Sequence, residues 1–255
     1  MYERIAVIYR GHLRTWNYVK EVNFQFFESI SKNVDYYFVT WDIDNDFSTI
    51  ENDFKGRNLI KFLLVERDDK YYQSDFGPVY HLSKILPYKK EREQTVKYDA
   101  IIDTRPDVIL KKISDFPALE DMTLYVEWMN DNIPNAINGI SDICNLMSSK
   151  VFDIISQRYK QADNRDPLCH KNFKDYCEEK SIKIEKYLNF FYIYFLRPQI
   201  MDYIKNPFDI LDLELIEVFK YVIEWNNLSA EERIDVLQRH NICLEDYRGW
   251  VHKNQ

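Results

Sequence analysis

Short apolar runs alternate with segments of helical period along the first half of the chain, and this alternation is what most limits its fold. Ile5-Ala6-Val7-Ile8-Tyr9 is the first run, followed by a loop and then by Val19, Val22, Phe26, Phe27 and Ile30 at helical spacing between Trp16 and Ser31. Val34 to Trp41, Ile60 to Val65, Tyr98 to Leu110 and Thr123 to Trp128 read as further strands. A second helical pattern carries Val79, Leu82, Ile85 and Leu86, with Pro78 in its first turn, and Pro87 is expected to kink it. Strands that alternate with helices predict an α/β fold: a mostly parallel, Rossmann-like sheet flanked by helices. Asp44 to Asn58 is polar with room for a short helix, and Lys89 to Lys97 reads as a solvated helical face.

Beyond the strands the style changes. Ser148-Ser149-Lys150 opens a helix through Val151, Ile154, Ile155 and Tyr159. Leu211, Leu215, Val218, Phe219 and Val222 form one stripe between Asp209 and Trp225, and Ser229-Ala230-Glu231-Glu232 matches a capping box. With the change near Pro207, the expected organisation is a main domain over 1–207 and a C-terminal helical tail over 208–255 packed on it.

The formal net charge of −8, with basic residues scattered, argues against a nucleic-acid partner. An acidic protein must hold a phosphorylated ligand locally, through a metal or a few placed arginines. Cys144, Cys169, Cys177 and Cys243 form no CxxC pair, so a structural zinc site is not expected. No apolar run has the length of a transmembrane helix, and the N-terminal run is too short for a signal peptide. The expectation is a soluble, reduced, cytoplasmic protein.

Tyr98 to Leu110 holds the densest chemistry, because the apolar strand is broken by Asp103-Thr104-Arg105-Pro106-Asp107. On an extended strand, positions i, i+2 and i+4 share a face, which would let Asp103 and Asp107 meet one Mn²⁺ or Mg²⁺ beside Arg105. The plain alternative, given equal weight, is that Arg105 forms an ion pair with one of the two aspartates. Arg10-Gly11-His12-Leu13-Arg14-Thr15 follows the first strand: Gly11 permits close backbone approach, and arginines clamp phosphate. It lacks the glycines and lysine of a P-loop, so a solvent-exposed strand–helix turn explains it as well. Asp142 is a candidate base, or a group that positions an acceptor hydroxyl, and equally a turn cap. His170 reads as an ordinary helix-start histidine rather than a third metal ligand.

Taken in order, four segments resemble a family of small glycosyltransferases of GT-A-like fold, found in surface-polysaccharide gene clusters and in large DNA viruses and phages. They are Ile5 to Trp16, like a strand ending in a small-Gly-x-x-Arg-Thr-Trp loop, and Val34 to Asp42, like a strand ending in Thr-Trp-Asp. Tyr98 to Asp107 resembles a Tyr-Asp-x-Ile-Ile-x-x-Arg-x-Asp segment, and Asp142 to Ser149 an Asp-x-x-x-x-Ser-Ser segment with one residue more between its Asp and its Ser-Ser. The resemblance implies that the first loop, with Arg10, Gly11, Arg14 and Thr15, and Asp42 lie around a nucleotide. It implies that Asp107, with Asp103, replaces the metal-binding Asp-x-Asp motif, and that Asp142 lies on the acceptor side. A strict Asp-x-Asp is absent, which leaves Arg105 to take part of the cation's work.

The expected function is transfer of a sugar from a nucleotide-diphosphate-sugar donor to a glycan hydroxyl acceptor, assisted by a divalent metal. Two other classes stay open: a nucleotidyltransferase acting on sugar phosphates, and a non-catalytic carbohydrate-binding protein using the abundant aromatics.

Overall fold

The computed structural model describes residues 1–13, 15–42, 49–72, 77–112, 114–116, 118–126, 143–161, 169–186, 191–195 and 228–239. Nine strands and seven α-helices are found among them. In chain order they are β1 (Tyr2–Arg10), α1 (Trp16–Ile30), β2 (Ser31–Trp41), α2 (Ile50–Asp53), β3 (Asn58–Val65), α3 (Asp69–Tyr72) and α4 (Gly77–Arg92). Then come β4 (Ala100–Thr104), β5 (Val108–Lys112), β6 (Thr123–Val126), β7 (Cys144–Met147), α5 (Ser149–Ile155), α6 (Cys169–Glu179), β8 (Lys183–Lys186), β9 (Phe191–Phe195) and α7 (Ala230–Arg239).

A seven-stranded sheet runs in the order β3-β2-β1-β4-β7-β6-β8. Strands β1 to β4 are parallel, and β7 is antiparallel to both its neighbours. The architecture is the mixed α/β, mostly parallel sheet flanked by helices that the alternating pattern predicts. Strand β1 is buried on both faces, so its apolar run is continuous rather than alternating. Ile5, Val7 and Tyr9 face a core built with Val19, Val22, Phe26 and Phe27 of α1. Ala6 and Ile8 face the other core, with Leu82 and Ile85 of α4, Val151 and Phe152 of α5, and Phe173 of α6. Leu228 and Ile234, beside and on α7, pack against the first core.

Local signals act as expected at several ends. The Ser148 hydroxyl accepts from the Val151 amide and starts α5. Ser229 and Glu232 form the reciprocal capping box, with the Ser229 amide 2.7 Å from the Glu232 carboxylate. Trp16 is core: its indole donates to Asp53 at 2.8 Å and stacks on Phe54, which ties α2 to α1.

Two readings change. The segment from Tyr98 to Leu110 is not one strand. β4 ends at Thr104, the chain turns at Pro106 and Asp107, and β5 joins β9 in a separate two-stranded sheet. Helix α4 runs through Pro87 to Arg92. Lys89 is not on a solvated face: it is fully buried and bonds Asp153 at 2.6 Å, Glu93 at 2.9 Å and the Ser149 carbonyl at 3.2 Å, pinning α5 to α4.

At the end of the sheet where β1 begins, the fully buried Asp35 gathers Arg4 at 2.7 Å, Arg92 at 2.8 Å, Asn58 at 2.6 Å and Tyr98 at 2.9 Å. Asp35→Ala leaves two guanidiniums facing each other without their shared anion. The expected loss is ~3 kcal/mol, the low end for breaking a buried pair, because both arginines stay partly in water. Urea unfolding measures it, and a change under about 0.5 kcal/mol removes this hub from the account.

Candidate functional site

In an open α/β sheet, ligands bind outside the carboxyl ends of the strands, where the strand order reverses. Here that point lies between β1 and β4. The chain leaves β1 through α1, on one face of the sheet, to build β2 and β3 on one side. It returns through α4, on the other face, to lay β4 on the opposite side of β1.

Arg10 and Asp103 meet at this point. Arg10 Nε donates to Asp103 Oδ2 at 2.7 Å, and the two side chains are 2% and 1% exposed. Both lie on the α4 face by strand alternation, in line with Ala6, Ile8 and Ile101. The first loop and the acidic strand end are therefore in direct contact, but with their charges turned on each other. Gly11 follows at φ +108°, a backbone conformation that L side chains rarely adopt, and its amide donates to the Val39 carbonyl at 3.2 Å. Thr15 is fully buried at the start of α1. Asp42 is exposed immediately after β2, its amide bonded to the Val65 carbonyl at 2.8 Å.

Arg105 and Asp107 form a two-pronged pair: Arg105 Nε reaches Asp107 Oδ1 at 2.9 Å, and Nη2 reaches Oδ2 at 2.8 Å. The Asp107 side chain is 1% exposed and that of Arg105 25%. Pro106 and the turn end the strand geometry that was expected to align Asp103 with Asp107, so the i, i+2, i+4 argument does not apply beyond Thr104. The aspartates are partners of two different arginines. Among the described residues, no group of three or more His, Cys, Asp or Glu is placed to hold a metal ion. As a donor set, two buried carboxylates that each already hold a guanidinium do not fit a hard cation, which needs open carboxylate oxygens and room for water.

Arg14 and Asp142 lie outside the described residues, as does the side chain of His170. Cys144, two positions after Asp142, pairs with Thr104 in the β4–β7 register, at the same end of the sheet as Arg105.

Two residues belong to this region that the motifs did not mark. Asn23 of α1 is fully buried; its amide donates to the Val108 carbonyl at 2.6 Å and accepts from the Leu110 amide at 3.1 Å, fixing β5 directly after Asp107. His81 of α4 is fully buried with its ring 4.3 Å from that of Trp41, and neither ring nitrogen has a hydrogen bond among the described residues. Burial, then the nearby charges of His12 and Arg10, hold its pKa well below the usual histidine value. Trp41 also packs edge-on against Tyr72, which meets His12 in turn. The available signal was position: Asn23 lies four residues after Val19, and His81 four before Ile85, each on the buried stripe of its helix.

No family model matches the chain, and no curated protein sequence matches it. Among solved structures, the crystal structure of a glycosyltransferase involved in the glycosylation of the major capsid of PBCV-1 is similar. The two are 12% identical, the match covers 72% of this chain and 82% of that one, and the TM-score is 0.43. Similarity at that level fixes no correspondence between residues, and no role is carried across from it.

His81 gives a signed pH test. Above about pH 6.5 the imidazole is neutral in both states. Below it the unfolded chain takes up a proton that the folded chain refuses, so stability falls as pH falls, by up to about 1.4 kcal/mol per pH unit from this group. His81→Phe should flatten the fall in unfolding free energy between pH 7 and 5.5 relative to the parent, a window set by the ordinary histidine value. Equal slopes for the two proteins would place the titration elsewhere.

Proposed function

We propose that the chain is a glycosyltransferase that moves a sugar from a nucleoside-diphosphate donor to a glycan hydroxyl. One observation carries this reading. The segments that individually resemble glycosyltransferase motifs are brought to one end of the sheet: Gly11 after β1, Asp42 after β2, Arg105 and Asp107 after β4, and Cys144 opposite Thr104. Because β1, β2 and β4 are parallel, the loops that follow them come to this one end.

The roles follow from exposure and chemistry. Gly11 lets a ligand approach backbone, and the exposed Asp42 carboxylate accepts hydrogen bonds from ribose hydroxyls. Arg105 faces the diphosphate, the partner a guanidinium fork matches in shape and charge. Arg10 and Thr15, which are buried, shape the loop rather than touch the donor. In the transfer step the acceptor oxygen bonds to the anomeric carbon while the bond from that carbon to the β-phosphate oxygen breaks. The electron pair leaves on the diphosphate, and the acceptor proton passes to a base, for which Asp142 is the candidate. Stabilising the charge that develops on the leaving group is the main catalytic term.

The test is a panel of nucleotide sugars offered to the full chain, with and without Mn²⁺, followed by release of nucleoside diphosphate. At least one donor should be hydrolysed or transferred. Asp42→Ala should weaken that donor by about tenfold, as expected for losing one or two hydrogen bonds to a charged group. Its stability should stay within about 0.5 kcal/mol of the parent. A panel in which no donor binds or reacts in either condition overturns the proposal.

A further inference from the structure

We infer that this chain carries the leaving diphosphate on Arg105, held in place by Asp107, and that donor binding does not require a divalent metal; the inference rests on the glycosyl-transfer reading. A metal bridge between Asp103 and Asp107 needs both carboxylates turned toward a common, solvent-connected point. The structure turns them elsewhere. Asp103 is 1% exposed and 2.7 Å from the buried Arg10 guanidinium. Asp107 is 1% exposed and has both oxygens in the Arg105 fork, at 2.9 and 2.8 Å. A dication entering between them would meet two guanidiniums at short range, in surroundings that screen charge poorly. Each aspartate already has its counter-ion.

What these pairs produce is an oriented cation. Arg105 is a quarter exposed, whereas its partner is buried. The pair engages Nε and Nη2 of Arg105 and fixes the plane of the guanidinium. Asp107 is itself fixed at both sides, by the end of β4 and by the Asn23 amide on Val108 and Leu110. Orientation of this kind lowers the entropy lost when a phosphate is gripped. Asp107 is then a positioning residue, and Arg105 the group that touches the donor.

The experiment measures nucleoside-diphosphate binding by calorimetry on the full chain, in EDTA and in Mn²⁺, with the diphosphate of whichever donor reacts in the panel. The expected affinities agree within about threefold. Arg105→Gln should weaken binding by at least about tenfold in EDTA, and Arg105→Lys should recover only part, since an ammonium lacks the planar fork. Because Arg105→Gln leaves Asp107 buried without its counter-ion, the double variant Arg105→Gln, Asp107→Asn is measured beside it. It should keep the parent's circular dichroism and still bind weakly. Binding that appears only with Mn²⁺ overturns the inference while leaving the transferase reading in place. So does parental affinity in EDTA for the double variant. Absence of binding in both conditions overturns the transferase reading, and this inference with it.

Discussion

Arg10 and Asp103 bury opposite charges against each other where β1 and β4 run side by side, and the architecture of the candidate site depends on that contact. Taking two ions out of water is expensive, and the attraction regained inside a protein often does no more than cancel the cost. The pair is therefore poor evidence of stability. Its consequence is geometric. β1 and β4 come from opposite sides of the strand-order reversal, and hydrophobic residues on either strand would tolerate sliding or splaying at the sheet's end. A guanidinium and a carboxylate at 2.7 Å do not, because separating them leaves an uncompensated buried charge. The pair locks the rim of the switch point and engages both side chains with each other. On the proposed reading, ligand contact passes to their neighbours, Gly11 on one side and Arg105 on the other.

The sheet was largely legible because burial on both faces leaves a plain mark: β1, β2 and β4 are apolar runs with no need to alternate. β7 carries no such mark. Ile143 to Met147 contains Asn145, and the four residues of the strand are too few to show a period. The break between β4 and β5 was written in Pro106, which lacks the amide a ladder requires, yet the apolar residues on both sides disguised it as one strand with a polar interruption. That single misreading carried the metal expectation with it, since the alignment of Asp103 with Asp107 holds only on continuous strand.

The residues that sequence reasoning missed share a feature. Asn23, His81 and Lys89 are polar, and each sits on the apolar stripe of a helix. His81, Ile85 and Lys89 are spaced by four, so a helix that buries Ile85 turns the other two inward as well. A polar residue at a core position must find partners or remain costly. Asn23 and Lys89 find them, and what they bind is what they hold in place: β5 for Asn23, α5 for Lys89. His81 lacks such bonds among the described residues and is kept neutral. The hydrophobic pattern identified these helices by their apolar members, although the connections to the site run through the exceptions.

Charge fixes the last constraint. A chain of net charge −8 does not draw an anion in from a distance, so on the proposed reading affinity for a diphosphate must arise at contact. Contact energy is greatest where the binding group is already oriented, because a freely rotating arginine loses rotamer entropy when it is held. Arg105 is oriented through a chain of bonds that starts in the first helix: Asn23 holds the main chain of Val108 and Leu110, Asp107 precedes Val108, and Asp107 holds Arg105. The same helix packs Val19, Val22, Phe26 and Phe27 into the core beneath β1. Folding of α1 onto the sheet and orientation of the quarter-exposed Arg105 guanidinium are thus a single energetic event. On the proposed reading, the conformational cost of gripping a phosphate is met when the hydrophobic core forms, before a donor arrives.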